Sequence, residues 1–245
     1  MAYLNVLLPV YNEQLRLENG VRGTIEYFKS IGEEDYELTI VDNASVDETQ
    51  AIAERLCEEF SNVHYIRLHE KGVGVAFRAG VAANESPIVG YMDIDLSTDV
   101  KHLSDMLRVF REKPEVGMLN ASRWNRNADT RGRKWYRNIT SHGLTWLLKF
   151  ALQMKASDAI CGFKFFRKDV VEALIEKADS SENGWFYIIE LLLRAERDGY
   201  VVYELPVHWE DDYRSTVNVR KVVWNYCTHI VKLRKAFRRE RRAGK

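Results

Sequence analysis

Short apolar runs alternate with amphipathic segments along the first 120 residues of this 245-residue chain. The apolar runs have the length of buried strands, and the segments between them have the hydrophobic spacing of helices. The pattern predicts strands over residues 4–10, 37–41, 63–68 and 88–92, and helices over residues 14–30, 46–60, 73–83 and 100–111. This alternation is typical of an α/β protein with a mostly parallel, Rossmann-like sheet and helices on both faces.

The pattern changes after residue 120, where a polar segment with five arginines comes before a long apolar helix. The arginines of this segment are Arg123, Arg126, Arg131, Arg133 and Arg137. Further helices are predicted over residues 139–154, 169–177, 185–197 and 219–239, with a strand over 200–207 and a compact segment over 158–167. No linker or internal repeat divides the chain, so we predict one domain over residues 1–231 and a basic tail over 232–245.

The formal net charge is zero, but the charges are unevenly distributed. Residues 232–245 hold eight basic residues and one acid, so the tail carries +7 and the rest of the chain −7. Such a tail is either a solvated helix end or a docking patch for an anionic surface, with membrane lipid as the favoured partner. An acidic body without a recognisable binding motif argues against nucleic acid as a partner.

The three cysteines are far apart and form no C-x-x-C pair, which favours a reducing compartment over a disulfide or zinc scaffold. The first apolar run has no basic segment before it, so it is interpreted as a strand and not as a signal peptide. No window reaches 18 apolar residues, the minimum for a membrane span. The expected location is therefore cytoplasmic, peripheral at the cytoplasmic face of a membrane.

Ligands of parallel sheets bind beyond the carboxyl ends of the strands, so the residues after each predicted strand are the first candidates. The first strand leads through Pro9 to Tyr11 and Glu13, with no Gly-rich phosphate loop. An aromatic ring and a carboxylate can instead stack on and hydrogen-bond a nucleobase or ribose. Asp42 ends the second strand at the same edge and suits a ribose or base contact. The alternative for the end of the first strand is a purely structural one, in which Asn12 caps the following helix.

A glycine turn, Lys71-Gly72-Val73-Gly74, opens the third predicted helix. Two glycines let the backbone approach a ligand, and a helix N-terminus favours a phosphate. Lys71 and Arg78 add positive charge at the same place. A tight strand-to-helix turn explains the two glycines equally well.

Asp93 and Asp95 follow the fourth strand and face one site, because residues two apart in an extended segment point the same way. Paired carboxylates at this edge suit a Mg²⁺ or Mn²⁺ ion that bridges a diphosphate. A calcium EF-hand is excluded, since its loop needs Gly at the sixth position and Glu at the twelfth. This chain has Thr98 and Ser104 there.

Taken in this order, these motifs resemble the inverting family 2 glycosyltransferases of the GT-A fold. The resemblance covers nearly the whole chain and narrows to the dolichyl- and polyprenyl-phosphate sugar synthases, dolichol-phosphate mannosyltransferases among them. The residues that are specific to this branch are Ser122-Arg123, Arg137 with Ser141, the 158–167 segment, Glu190, and Glu204-Leu205-Pro206-Val207.

The resemblance implies three groups of site residues. Those that hold the nucleoside are Tyr11, Glu13 and Asp42. Those at the Mg²⁺ or Mn²⁺ ion and the diphosphate are Asp93, Asp95 and Ser97. Those that hold the acceptor phosphate are Arg123, Arg137 and Ser141. A lipid phosphate pairs well with arginine forks and is already nucleophilic at neutral pH, so a strong general base is not required.

This chain departs from the branch in two features, and the role of the matching Glu190 is open. The lysine expected near residue 216 is missing, and Arg214 or Arg220 is the candidate replacement. Glu190 is either a structural carboxylate paired with Arg or Lys, or a contact to a sugar hydroxyl. Many relatives carry C-terminal transmembrane helices that this chain lacks, so the amphipathic 139–154 segment and the basic tail either contact lipid or pack against the core.

The sequence therefore predicts a metal-dependent transferase that moves a sugar from a UDP- or GDP-linked donor to polyprenyl or dolichyl phosphate. The first alternative has the same fold and donor chemistry but a saccharide or protein hydroxyl as acceptor, which would make a base such as Asp158 or Glu190 essential. A sugar-phosphate nucleotidyltransferase is disfavoured, because it would need a Gly-rich loop after the first strand. The remaining alternative is a non-catalytic module that binds nucleotide sugars or membranes.

Overall fold

The computed structural model describes residues 2–131, 135–210 and 219–243, and side chains outside 131–140 and 219–224. Its strands are β1 (Leu4–Val10), β2 (Tyr36–Asp42), β3 (Val63–Arg67), β4 (Ile88–Met92), β5 (Val116–Ser122), β6 (Asp129–Arg131), β7 (Phe163–Arg167), β8 (Val201–Pro206) and β9 (His208–Glu210). Its helices are α1 (Leu17–Ser30), α2 (Thr49–Glu59), α3 (Val73–Ala82), α4 (His102–Glu112), α5 (Trp135–Leu152), α6 (Lys168–Lys177), α7 (Phe186–Arg197) and α8 (Val219–Ala243).

Seven strands form one sheet in the order β3-β2-β1-β4-β7-β5-β8. All neighbouring pairs are parallel except those of β7, which runs antiparallel to both β4 and β5. The carboxyl ends of six strands and the start of β7 therefore meet at one edge. Strands β6 and β9 form a separate parallel pair beside this edge.

Alternate strand residues face two separate apolar layers, as the period of two requires. On one face, Leu4, Val6 and Leu8 of β1 pack with α1, α2 and α4. On the other face, Leu7 of β1 packs with α3, α6, α7 and α8. The predicted mostly parallel sheet with helices on both faces is confirmed.

The predicted elements of the first half lie within a few residues of the observed ones, and β4 has the predicted bounds. Strands β5 and β7 were not predicted, and each contains a buried polar residue. Asn120 lies in β5 and Lys164 in β7, and both side chains are fully buried. These residues interrupt the apolar runs by which buried strands are identified.

Helix α8 continues through the predicted boundary at residue 231 to Ala243. Its apolar residues Tyr226, Ile230, Leu233 and Phe237 are buried at helical spacing, whereas the basic residues of 232–242 are exposed. Within the described ranges, no helix is long and apolar enough to cross a bilayer. The division into a domain and a tail stays a prediction.

Candidate functional site

The loops after β1 and β2 are held together by hydrogen bonds from backbone amides to side-chain hydroxyls. The Asn12 amide donates to Ser45 Oγ at 2.9 Å, and the Glu13 amide donates to Thr49 Oγ1 at 2.8 Å. Tyr11 is exposed at this edge, and Lys71 Nζ lies 3.2 Å from the centroid of its ring. Tyr11 and Lys71, which the sequence assigned separately to the donor, are therefore in contact.

Asp42 ends β2 at the predicted edge, but its carboxylate is fully buried. Oδ1 accepts a hydrogen bond from the Ser45 amide at 2.8 Å, and Oδ2 accepts one from the Tyr65 hydroxyl at 2.8 Å. Arg67 Nη1 lies 3.8 Å from the same Oδ2. These contacts use both carboxylate oxygens to order the loop after β2. The nucleoside contact of Asp42 stays a prediction.

The glycine turn at the start of α3 packs closely against residues 182–184. A Cβ atom at Gly72 would collide with the Asn183 carbonyl group, and the Gly74 amide donates to that carbonyl oxygen at 2.9 Å. Arg78 Nη1 and Nη2 donate to Glu182 O and Asn183 Oδ1 at 2.9 and 2.8 Å. The glycines and Arg78 thus hold the 182–184 segment beside the predicted diphosphate position.

Asp93 directly follows β4 at the carboxyl edge of the sheet, and its amide donates to the Gly162 carbonyl at 3.1 Å. A Cβ atom at Gly162 would collide with the Asp93 carboxylate, so a glycine is required at that position. Burial raises the pKa of Asp93 to about 7, and the nearby Asp95 carboxylate adds to this rise. Asp95 Oδ1 accepts a hydrogen bond from the Ser97 amide at 3.0 Å, which orients the second carboxylate.

This carboxylate pair fits a divalent cation. Burial and mutual repulsion oppose negative charge on Asp93, and a cation between the two carboxylates would relieve both. The described residues contain no group of three His, Cys, Asp or Glu around one point. Mg²⁺ needs no such cage, because it is commonly held by one or two carboxylates, waters and substrate phosphates. Asp93 and Asp95 are the residues that would hold it.

Arg123 follows β5 and forms a buried ion pair with Asp158 at the same edge. Arg123 Nε and Nη2 donate to the two carboxylate oxygens at 2.7 and 3.1 Å, and the Arg123 amide donates to Oδ2 at 3.2 Å. Burial disfavours the Asp158 carboxylate, but attraction to Arg123 outweighs it and lowers the pKa of Asp158 to about 2. Arg123 is positioned by this pair, and its Nη1 makes no hydrogen bond within the described part of the chain.

Lys164 was not singled out as a site residue, yet it lies at the centre of the charged groups at this edge. Its side chain is fully buried, and Nζ donates to the Cys161 carbonyl at 2.5 Å. Burial lowers the pKa of Lys164, and the charges of Asp158 and Asp93 oppose that change. A lysine inside the aromatic run Phe163–Phe166 was the available signal, because strands rarely bury an ammonium group without a purpose.

Two of the remaining predicted site residues, Ser141 and Glu190, are buried on helices. Ser141 is buried on α5, and its hydroxyl has no hydrogen-bond partner. Glu190 is buried on α7, where its Oε1 accepts from Arg194 Nε at 2.7 Å and from the Asp179 amide at 3.2 Å. Those whose side chains lie outside the described residues are Arg137, Arg214 and Arg220.

The sequence matches Glycosyl transferase family 2 over residues 5–175. Glycosyltransferase AglD of Haloferax volcanii is 36% identical over 233 residues, which are 94% of this chain and 36% of AglD. The chain thus spans about a third of the length of that relative. Dolichyl-phosphate beta-glucosyltransferase ALG5D of Trichomonas vaginalis is 24% identical over 231 residues, which are 91% of this chain and 70% of that protein.

Among solved structures, glucosyl-3-phosphoglycerate synthase from Mycobacterium tuberculosis has a similar fold, with a TM-score of 0.68 at 14% identity. The match covers 96% of this chain and 78% of that chain, whose structure is in complex with Mn²⁺, UDP and phosphoglyceric acid. At this identity the likeness shows the fold alone, and it agrees with the GT-A expectation. Since the family match covers more than half of its residues, this chain belongs to glycosyl transferase family 2.

Proposed function

We propose that this chain is the catalytic part of a metal-dependent inverting transferase that moves a hexose from a nucleotide sugar to polyprenyl or dolichyl phosphate. The observation that carries the proposal is the meeting of a carboxylate pair, Asp93 and Asp95, with the cationic residues Arg123 and Lys164 at one sheet edge. The carboxylates suit the metal and diphosphate of a donor, Arg123 suits the phosphate of an acceptor, and the buried Lys164 adds positive charge at the same edge.

The donor half of the proposal places the nucleoside near Tyr11 and the diphosphate near Asp95. Tyr11 offers an exposed ring for stacking, and Lys71 beside it offers a charge for phosphate. UDP is the first donor nucleotide to test, because the solved synthase of similar fold was crystallised with UDP and Mn²⁺. Glucose is the first sugar to test, because a relative is named a dolichyl-phosphate beta-glucosyltransferase.

The acceptor half of the proposal rests on two hydrogen-bonding groups, the Ser141 hydroxyl and Arg123 Nη1, that make no hydrogen bond among the described residues. The Ser141 hydroxyl is buried without a partner, a condition that costs free energy unless a ligand supplies the hydrogen bond. Arg123 Nη1 is the unused arm of a guanidinium whose other arms hold Asp158. We assign the acceptor phosphate to these two groups together with Arg137.

A hydroxyl acceptor is less well supported, because the two carboxylates considered as its base are already paired. Asp158 is held by Arg123 and the Ile160 amide, and Glu190 by Arg194 and the Asp179 amide. Attraction to Arg123 lowers the pKa of Asp158 to about 2, so Asp158 is a weak base. Burial raises the pKa of Glu190, but its Oε1 is already engaged by Arg194 and the Asp179 amide. A phosphate acceptor needs no base, since it is already anionic at neutral pH.

In the proposed reaction, an acceptor phosphate oxygen attacks the anomeric carbon of the donor sugar as the bond from that carbon to the diphosphate oxygen breaks. The product is a glycosyl phosphate of inverted configuration, and the nucleoside diphosphate leaves. When bound, the metal ion supplies charge stabilisation for the departing diphosphate. Arg123 and Ser141 orient the acceptor phosphate, and Lys164 adds fixed positive charge that needs no reorganisation during the reaction.

A transfer assay tests the proposal directly. Radiolabelled UDP-glucose, UDP-GlcNAc, UDP-galactose and GDP-mannose are each incubated with a short polyprenyl phosphate and Mn²⁺ or Mg²⁺. Transfer of label into the lipid phase with one donor supports the proposed donor and acceptor. Loss of that transfer when EDTA is added supports the metal requirement. Donor hydrolysis or nucleotide binding without lipid label would refute the acceptor and favour a hydroxyl.

Variants at the two halves of the site sharpen this assay. Asp95→Ala is expected to abolish metal-dependent transfer, and normal turnover in that variant would refute the metal role. Arg137→Ala is expected to raise the KM for the lipid phosphate strongly, whereas a hydroxyl acceptor predicts a mild effect. Arg126→Ala is the matched control, because Arg126 is an exposed arginine of the same basic segment.

We further propose that the protein works at the cytoplasmic face of a membrane, through the basic residues of α8 and the outer face of α5. Trp146 and Phe150 of α5 are exposed and stack at 5.7 Å between ring centroids. Arg234, Arg238 and Arg241 of α8 lie beside the end of α5, around a cavity of about 190 Å³. Exposed aromatics next to exposed cations are typical of surfaces that contact anionic lipid.

A further inference from the structure

The buried Glu182 and the mostly buried His229 form a contact between the 182–184 segment and helix α8. His229 Nε2 lies 2.5 Å from Glu182 Oε2, and the two side chains are 14% and 4% exposed. The His229 ring stacks on Phe186 of α7 at 5.3 Å between centroids. Neither residue belongs to a motif of the sequence analysis, and the proposed reaction uses neither.

The Glu182 side chain also shapes the segment that carries it. Its Oε1 accepts a hydrogen bond from the Gly184 amide at 2.7 Å, while Oε2 contacts His229. The Glu182 amide donates to the Asp179 carbonyl at 3.0 Å, and the Glu182 carbonyl accepts from Arg78. One side chain therefore closes the turn at residues 182–184 and fastens it to α8.

The far side of the same segment faces the glycine turn of the proposed donor site. Asn183 accepts hydrogen bonds from the Gly74 amide and from Arg78 Nη2, and its carbonyl occupies the space beside Gly72. Gly74 is in the first turn of α3, where free amides would otherwise point toward a phosphate. The position of the 182–184 segment thus decides which amides and which charge face the diphosphate.

We propose that the Glu182–His229 contact is a positioning device for the donor site, which fixes the glycine turn and Lys71 through the 182–184 segment. This inference rests on the proposed function, because it assigns the nucleoside diphosphate to that turn. His229 and Glu182 are positioning residues, since neither touches the proposed ligand. Loss of their contact releases one side of the segment, and the turn then samples positions that hold the diphosphate less well.

The test is calorimetric titration of UDP, and separately of GDP, into the protein with Mn²⁺, without acceptor. His229→Ala is expected to raise the Kd of the nucleotide about tenfold, or about 1.4 kcal/mol. In turnover assays the same variant raises the KM for the nucleotide sugar and leaves the KM for the lipid phosphate unchanged. His64→Ala is the matched control, because His64 is exposed on β3, where it faces Glu37 at 3.9 Å, and it has no hydrogen bond or ion pair with residues 182–184 in the described part of the chain.

Two further variants separate positioning from simple stability. His229→Gln places an amide nitrogen near the position of Nε2, so it is expected to restore most of the nucleotide affinity. Glu182→Ala combined with His229→Ala is expected to weaken binding no more than Glu182→Ala alone, because Glu182→Ala already removes the contact with His229 along with the hydrogen bond from the Gly184 amide. Should His229→Ala lose cooperative unfolding, the Kd of the His229→Gln and Glu182→Gln proteins tests the same contact with the volume retained.

An unchanged Kd in folded His229→Ala protein, additive effects in the double variant, or no recovery in His229→Gln would each overturn the positioning role while leaving the proposed function intact. Wild-type protein that binds neither UDP nor GDP would instead refute the donor site itself, and the positioning role with it. The two failures are therefore distinguishable in one set of titrations.

Discussion

Replacement of Asp158 by asparagine is the most direct test of how the acceptor side of the site is built. Asp158 is fully buried and holds the side chain of Arg123, which is 5% exposed. Asparagine keeps the size of the side chain but removes its charge. The guanidinium is then left buried and positively charged without its counter-ion, an arrangement that is far less stable than the pair.

The size of the effect follows from the contacts. Three donors of Arg123 and the Ile160 amide converge on the Asp158 carboxylate at 2.7–3.2 Å. Removal of one partner of a buried ion pair costs about 3–5 kcal/mol. The shift of the Asp158 pKa from 3.8 to about 2 gives a second figure, since it corresponds to about 2 kcal/mol of differential stability. We therefore expect a loss of about 2–5 kcal/mol in the free energy of unfolding.

The same pair makes a prediction about acid. Because the folded-state pKa of Asp158 is depressed, the stabilisation is fully present above the unfolded pKa of 3.8 and is lost as the pH falls toward 2. The wild-type protein should therefore lose about 2 kcal/mol more than the asparagine variant between pH 5 and pH 2. The comparison isolates this carboxylate, because all other acids are common to both proteins.

Urea denaturation at pH 7, followed by circular dichroism, measures the free energy of unfolding for both proteins. Asp198→Asn is the control, because Asp198 pairs with Lys177 at the surface, where an ion pair contributes about 0–1 kcal/mol. A loss below about 1 kcal/mol for Asp158→Asn would refute the reasoning. It would mean that Arg123 finds another partner or water, and that its position does not depend on Asp158.

Three other predictions address activity and lipid binding. Gly162→Ala should lower turnover about 100-fold, because its Cβ displaces the carboxylate after β4, whereas Gly143→Ala has open space around it and should be neutral in the same transfer assay. Ser141→Ala should raise the KM for polyprenyl phosphate about tenfold and leave the donor KM unchanged; a raised donor KM would contradict the acceptor assignment. Joint replacement of Trp146 and Phe150 by serine should weaken co-sedimentation with phosphatidylglycerol vesicles about tenfold without loss of stability, and unchanged sedimentation would remove α5 from the membrane surface.

The parallel half of the fold could be predicted because its strands are continuous apolar runs. The β4 strand is fully buried and was predicted with its observed bounds. The β5 and β7 strands were missed for a shared reason, since each contains a buried polar residue, Asn120 in β5 and Lys164 in β7. Both residues lie next to the charged groups of the site. Functional sites are where the hydrophobic pattern of a sequence most often departs from what its secondary structure would require.

The candidate site could be predicted as a set of residues but not as a set of contacts. Tyr11, Lys71, Asp93 and Arg123 were assigned from strand ends and from the family resemblance, and the structure places all four at one edge. The pairing of Arg123 with Asp158 joins residues 35 positions apart, and it depends on the antiparallel insertion of β7. Sequence spacing contains no information about which distant strand becomes a neighbour.

The insertion of β7 between β4 and β5 also sets an order of events during synthesis. Strands β3, β2, β1 and β4 are neighbours that are complete by residue 92, so they can pair while the rest of the chain is still being made. The outer edge of β4 stays open until residues 163–167 leave the ribosome, and β5 has no partner in the first half. An unpaired strand edge invites aggregation. A chain that stops before residue 163 should therefore be prone to aggregation or degradation.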